Sequence, residues 1–143
     1  MNTSTSPAPG WLALAIIGAF LVFFPLLWCS IVWLLSHAGG WSRLAQRHAA
    51  GDRFVTGERR GGITGRVGVV NYRNVLTVHL TADGFFLEVM PLFRIAHPRL
   101  FIPWSEVCAR TPLTVLWWKA ERLSIGNPLV ATITLPAELL AQR

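Results

Sequence analysis

Charge is absent from a long stretch near the start of this chain of 143 residues. Residues 11–36 contain no Asp, Glu, Lys or Arg, and 15 of these 26 residues are Leu, Ile, Val or Phe. As a helix the run would be about 39 Å long, against roughly 30 Å of bilayer hydrocarbon. A charge at the membrane centre would oppose insertion by about 2.5 to 3.5 kcal/mol, and the run has none. It therefore predicts a transmembrane helix.

Basic residues are also absent from residues 1–10, which precede the run. A cleavable signal peptide needs a basic n-region and a much shorter apolar segment, so that alternative is disfavoured. A buried core helix is the second alternative, but such helices seldom stay uncharged for so long.

Cysteine is scarce. Cys29 lies in the apolar run and Cys108 lies far beyond it, so the two do not form a disulfide framework. The absence of a disulfide is typical of a domain in a reducing cytoplasm. Neither cysteine has the CxxC or Cys/His spacing of redox or zinc sites, and the four histidines form no HExxH motif. We therefore predict no metal and no cofactor.

Acidic residues are few and scattered, seven in all, and no two are spaced as an acid/base pair. No serine lies in a G-x-S-x-G context. The glycine-rich stretch 61–68 lacks both the GxGxxG spacing and the lysine of a phosphate-binding loop. The sequence therefore argues against an enzyme.

Positive charge is plentiful after the run. Of the 13 basic residues in the chain, 12 are arginine, and the net charge is +6. Six arginines follow the run closely, against two acidic residues: Arg43, Arg47, Arg53, Arg59, Arg60 and Arg66. The positive-inside rule then predicts an external N-terminus and a cytoplasmic C-terminal part, in a single-pass protein of the inner (plasma) membrane. Nucleic acid is not an expected partner, because no basic helix or aromatic RNA-binding motif accompanies the charge.

These features divide the chain into a non-cytoplasmic segment 1–10, a transmembrane helix 11–36, a juxtamembrane connector 37–53 and a domain 54–143. In the connector, Trp41 and Leu44 alternate with basic residues. This pattern predicts either a short amphipathic helix at the membrane interface or a continuation of the membrane helix. Trp41 would then join the aromatic residues that mark the bilayer boundary.

The domain has the alternation of β-strands. Residues 75–81 and 85–90 alternate in polarity around Asp83-Gly84, which is the strongest short-range signal for a hairpin. Glu88 is expected on the wet face of that hairpin. Further strands are predicted at 63–70, 100–104, 114–118, 121–125 and 129–135, with a turn at Lys119-Ala120 and a short helix from Pro136. About six or seven short strands predict an antiparallel barrel or sandwich.

The stretch LTVHLTADGFFLEV, followed by HPRLFIPWSEV, resembles the strand pattern of pleckstrin-homology (PH) and GRAM-type domains. The layout of one membrane helix, a connector and this segment also resembles uncharacterised bacterial single-span membrane proteins. The resemblance implies a PH-like barrel or sandwich. That fold is closed by a long C-terminal helix, whereas this chain has only a short segment after its last strand. One end of the barrel is therefore expected to be open or covered by a partner.

Residues 90–99 combine an apolar tip with basic side chains. We expect Phe93 to face the bilayer or a partner, while Arg94, His97 and Arg99 contact anionic headgroups or that partner. The alternative is that the apolar residues pack onto the domain and the arginines are solvated. The sequence thus predicts a membrane-anchored, non-catalytic cytoplasmic module that binds a protein or anionic lipid.

A second hypothesis is a small accessory subunit that binds through its transmembrane helix. Small residues at Ala15, Gly18 and Ala19 permit close helix packing, including that of a homodimer.

Overall fold

The structure, a computed structural model, describes residues 7–141. Contacts divide the chain into two compact units, Met1–Ile31 and Val32–Arg143. Helix α1 (Gly10–Gly39) begins in the first unit and ends in the second. It is long and apolar enough to cross a bilayer, with a mean hydropathy of 2.5 over its best window. Within the described part of the chain, no residue of that window is buried, so it lacks the packing of a core helix.

The second unit starts with the last two turns of α1, Val32 to Gly39, followed by a sharp break. Gly40 has a φ of 86°, which glycine adopts without strain, and it separates α1 from α2 (Trp41–His48). Gly39 packs tightly, since a Cβ there would lie 3.0 Å from the Val67 carbonyl oxygen. The end of α1 is thereby held against the β-rich domain.

The connector forms a short helix, α2, which confirms one of its two alternatives and corrects the expected surroundings of its apolar face. It is separate from α1, and its apolar residues Trp41 and Leu44 are fully buried in the core of the domain. It therefore neither continues the membrane helix nor turns its apolar face to lipid. Trp41 belongs to the core rather than to the aromatic boundary of the bilayer.

The domain is one sheet of seven antiparallel strands, curled into a half-barrel, with a short terminal helix. The strands are β1 (Glu58–Val67), β2 (Val70–Leu80), β3 (Gly84–Val89), β4 (Leu100–Pro103), β5 (Val107–Val115), β6 (Trp118–Ile125) and β7 (Ala131–Pro136). Their spatial order is β4-β3-β2-β1-β7-β6-β5. Helix α3 (Ala137–Leu140) follows. A mainly-β domain of about six or seven strands with a short C-terminal helix is therefore confirmed.

The predicted hairpin is confirmed as β2 and β3. Its alternation places Leu76, Val78 and Leu80 in the core. The Thr81 hydroxyl closes the turn, because it accepts the Gly84 N–H at 3.1 Å. Gly84 is required there, since a Cβ would lie 2.4 Å from the Ile102 carbonyl oxygen on β4.

The predicted turn at Lys119-Ala120 is wrong. Val115 pairs with Trp118, so the turn is formed by Leu116 and Trp117, while Lys119 and Ala120 lie within β6. Leu116 has a φ of 57°, a conformation that Gly or Asn usually adopts in a turn. The segment thus lacks the residue types that announce a turn.

Two short helices cover the inner face of the half-barrel. Trp41 and Leu44 of α2, together with Leu139 and Leu140 of α3, join one hydrophobic core with the inward side chains of the strands. After α2 the chain lies beside the start of the edge strand β4. The Ala50 N–H donates to the carbonyl of Arg99, the residue before β4, at 2.8 Å. The curled sheet is therefore filled by helices from both ends of the domain.

Candidate functional site

The segment 90–99 is held in place by contacts at successive residues. It starts with a 3₁₀ turn, Pro91–Phe93. Further along, the Ser36 hydroxyl of α1 donates to the Ala96 carbonyl, and the Trp41 indole N–H donates to the Pro98 carbonyl at 2.9 Å. These bonds fix the segment beside the last turns of α1 and the start of α2.

His97 is a third anchor of this segment. Its ring is 2% exposed, and its Nδ1 lies 3.1 Å from the Ile95 carbonyl, to which it donates. Nε2 then accepts the O–H of Tyr72 at 2.9 Å. Burial lowers the pKa of His97 and raises the pKa of Tyr72, so both side chains are neutral near pH 7. His97 therefore stabilises the segment from inside instead of reaching the surface contact predicted for it.

The apolar tip of the segment is split between two environments. Phe93 is half-buried and packs against the hydrophobic core. Leu92 and Ile95 remain 62% and 47% exposed. The alternative in which the apolar residues pack onto the domain therefore holds for Phe93 and is wrong for Leu92 and Ile95, whose side chains form an exposed apolar surface.

Glu88 on β3 is the centre of an ionic cluster. Its Oε1 lies 2.9 Å from Arg99 Nε and 3.3 Å from His79 Nε2. Its Oε2 lies 3.1 Å from Arg94 Nη2 of the guanidinium group. The carboxylate side chain is only 10% exposed. The expected wet position of Glu88 is thus corrected, because the surrounding side chains cover it.

This cluster forms one wall of a cleft of about 540 Å³ on the outer face of β1, β2 and β3. Arg59 joins Arg94, Arg99, His79 and Glu88 in its lining. Burial and the nearby arginines lower the pKa of His79, whereas Glu88 raises it, and the net direction is downward. With His79 neutral, three guanidinium groups face one carboxylate. The cleft is therefore net positive and suited to an anionic group.

The His79 ring and the Glu88 carboxylate have the arrangement of a base and its partner, with 3.3 Å between Nε2 and Oε1. Among residues 7–141, the His79 ring forms no hydrogen bond with a hydroxyl or a thiol, and its polar contact is the Glu88 carboxylate. No set of three His, Cys, Asp or Glu side chains in that range is grouped for a metal ion.

Comparisons of the chain with protein families, with curated proteins and with solved structures find no match. Its function is therefore argued from geometry.

Sequence reasoning missed the central position of Glu88 and the participation of His79 and Arg59. The hairpin register indicates that His79 and Glu88 are neighbours. Thr77 lies opposite Glu88, and the side chain of His79 lies on the same face as both. No local sequence pattern indicates that the side chains of Arg94 and Arg99 lie on that face. Their position depends on anchors that are distant in sequence, at Ser36 and Trp41.

We expect the domain to lose stability as the pH falls below about 6.5, the ordinary pKa of histidine. Both His97 and His79 have lowered pKa values in the folded state, so the unfolded chain binds more protons in this range. Their contribution is fully present above the unfolded pKa and declines as the pH falls towards the folded pKa. Unfolding of the full chain in detergent between pH 7.5 and 5 measures this effect. The decrease in the free energy of unfolding per pH unit should be smaller in His97→Gln and in His79→Gln, and smallest in the double variant. An unchanged slope in the double variant would contradict the assignment.

Proposed function

We propose that the chain is a single-pass, membrane-anchored, non-catalytic module whose C-terminal domain lies on the cytoplasmic surface of the inner membrane. There it binds anionic lipid headgroups through its arginines. The observation that supports this most strongly is the hydrogen bond from Ser36 to Ala96. Ser36 is the last residue of the uncharged run, so this bond brings segment 90–99 level with the end of the apolar helix.

The side chains around that contact suit a membrane interface. Leu92 and Ile95 are exposed on the same segment, and Val32 of α1 is buried within the same compact unit. Entry of Leu92 and Ile95 into the interface would stabilise the membrane-bound state by roughly 25 cal/mol per Å² of apolar surface removed from water. Arg94 lies between these two residues in the sequence, and its side chain is 55% exposed. An anionic surface attracts each such charge by about 1 kcal/mol.

The two exposed arginines of α2 add to this surface. Arg43 and Arg47 lie within two turns of Gly39, where α1 ends. Their position next to the span supports both the cytoplasmic orientation and attraction to acidic lipids.

For the domain itself we propose a PH-like fold. The antiparallel sheet consists of two meanders, β1 to β4 and β5 to β7, that join through β1 and β7. This topology and the terminal helix support that assignment. α2 packs into the core beside the short α3 and supplies apolar cover that the terminal helix alone is too short to give. A fold of this kind is compatible with many functions, so the lipid proposal rests on the segment and its charges.

Two measurements test the proposed function. A reporter active only outside the cytoplasm, fused after Arg143, should be inactive; strong activity would contradict the orientation. Anionic lipid retained by the purified full chain should fall severalfold in Arg94→Gln. In the control Lys119→Gln, which removes an exposed charge from β6, it should not change.

Exchange of residues 11–31 for an unrelated apolar span separates this function from that of an accessory subunit. Lipid retention should survive the exchange if the domain binds. Loss of co-purifying proteins on exchange, with lipid retention unaffected by Arg94→Gln, would favour the accessory subunit instead.

A further inference from the structure

A second basic cleft lies on the outer face of the sheet, away from Glu88. It encloses about 310 Å³, and its charged lining residues are Arg66 of β1, Arg73 of β2 and Arg122 of β6. Within the described part of the chain, its lining contains no carboxylate, and none of these three arginines forms an ion pair with one. Three like charges are thus held together without a counter-charge from the protein.

The strand register explains why these arginines converge. Arg66 and Arg122 both pair with Thr134 of β7, so their side chains flank it on one face of the sheet. Arg66 and Arg122 lie on either side of β7, so two interstrand spacings of about 4.8 Å each separate their backbones. Arg66 is further oriented by Asn71, whose Oδ1 accepts its Nε–H at 2.8 Å. Three guanidinium groups around one cleft repel one another, and a bound anion would reduce that repulsion.

The number of donors favours phosphate over a carboxylate. Each guanidinium group offers five N–H donors in a planar fork, and three such groups exceed what two carboxylate oxygens accept. A phosphate group offers three or four oxygens and up to two negative charges. Fork-shaped donors that converge from three strands match this geometry.

The opposite wall of the cleft is apolar. It is formed by Leu113 and Val115 of β5 and by Trp118 of β6. Leu113 pairs with Ala120 and Val115 with Trp118, so these side chains share the face that carries Arg122. A ligand with a phosphate at one end and an apolar body at the other would fill both walls.

The cleft also lies near the end of α1. Arg66 immediately precedes Val67, and Asn71 immediately follows Val70. Both valines are in tight contact with the position of Gly39, where an added Cβ would lie 3.0 Å from each residue. A phosphate in this cleft could therefore come from a lipid headgroup or from solution.

We propose that Arg66, Arg73 and Arg122 form a binding site for a phosphate group carried by an amphiphilic ligand. This site is independent of the proposed function, since it uses none of the residues of segment 90–99.

The test uses the full chain in nanodiscs of phosphatidylcholine. One arm adds inorganic phosphate, with chloride at matched ionic strength, and the other arm incorporates phosphatidic acid. The unfolding temperature is measured as a function of ligand. We expect a saturable rise in at least one arm, with an apparent affinity at least tenfold weaker in Arg66→Gln/Arg122→Gln. Lys119→Gln should keep the rise in both arms, and Arg122→Gln alone serves if the double variant does not fold.

A rise with phosphate in solution identifies a soluble ligand, and a rise with phosphatidic acid alone identifies a headgroup. Either result supports the site if the cleft variants lose it. Without ligand, Arg122→Gln should unfold at the same temperature as the unmodified protein or higher, because repulsion is relieved. No saturable rise in either arm, or an equal rise in the cleft variants, would overturn the proposal. Loss in Arg94→Gln together with retention in Arg122→Gln would also overturn it and assign the anion to the Glu88 cleft.

Discussion

Trp41→Ala is expected to destabilise the domain by about 3 to 5 kcal/mol, the range for loss of a large buried aromatic side chain. Trp41 is fully buried and packs its ring 5.7 Å from Tyr72 and 5.1 Å from His97. It also donates to the Pro98 carbonyl, which would be left without this donor. Removal therefore affects the core and the anchoring of segment 90–99 together.

The matched control is Trp117→Ala. Trp117 is 89% exposed in the β5–β6 turn, and its replacement should change stability by no more than about 0.5 kcal/mol. Chemical unfolding of the full chain in detergent compares the two variants, and limited proteolysis reports release of segment 90–99. Equal stability of the two variants would show that α2 does not belong to the core.

Glu88→Gln is expected to lower the free energy of unfolding by about 2 kcal/mol and to strengthen anion binding in the cleft that Glu88 lines. Removal of one partner from a buried ion pair typically costs about 3 to 5 kcal/mol. The value here is lower because Arg94 and Arg99 are 55% and 35% exposed, so water screens their charges. The amide keeps the shape of the side chain, while the cleft loses its one negative charge.

Glu58→Gln provides the control. Glu58 forms an ion pair with Arg60 at the surface, with a side-chain exposure of 54%, and this pair should contribute about 0 to 1 kcal/mol. Added salt should restore more stability to Glu88→Gln than to the control, because it screens the uncompensated arginines. If both variants have the same stability and salt dependence, Glu88 does not organise the cleft.

The parts of the fold that local pattern determines were predictable. The apolar run predicted a helix of spanning length, and the Asp83-Gly84 hairpin followed from alternation and turn chemistry. The β5–β6 turn was not predictable in this way, because Leu116 adopts a left-handed conformation without a glycine or asparagine to announce it.

The arrangement of the site depended on long-range contacts that no local pattern shows. Trp41 has the spacing of an amphipathic interfacial helix, and only the presence of a half-barrel decides that its ring enters the core. His97 likewise looks like a surface cation beside Arg94 and Arg99. Its burial requires Tyr72, which is 25 residues distant. The sequence therefore shows which side chains of the segment can carry a positive charge. It does not show which of them point into the domain and which point outward.

We propose that segment 90–99 lies at the membrane surface, level with the end of α1. Nitroxide labels at Leu92→Cys, Ile95→Cys and Asp83→Cys, in a Cys29→Ala/Cys108→Ser background, test this by their accessibility to oxygen and to a water-soluble nickel chelate in lipid vesicles. Asp83 lies in the turn at the far end of β2 from Val70, which contacts Gly39. We expect oxygen to relax the labels at 92 and 95 more strongly than nickel does, and the label at 83 to show the opposite preference. Equal, nickel-dominated accessibility at all three positions would contradict it.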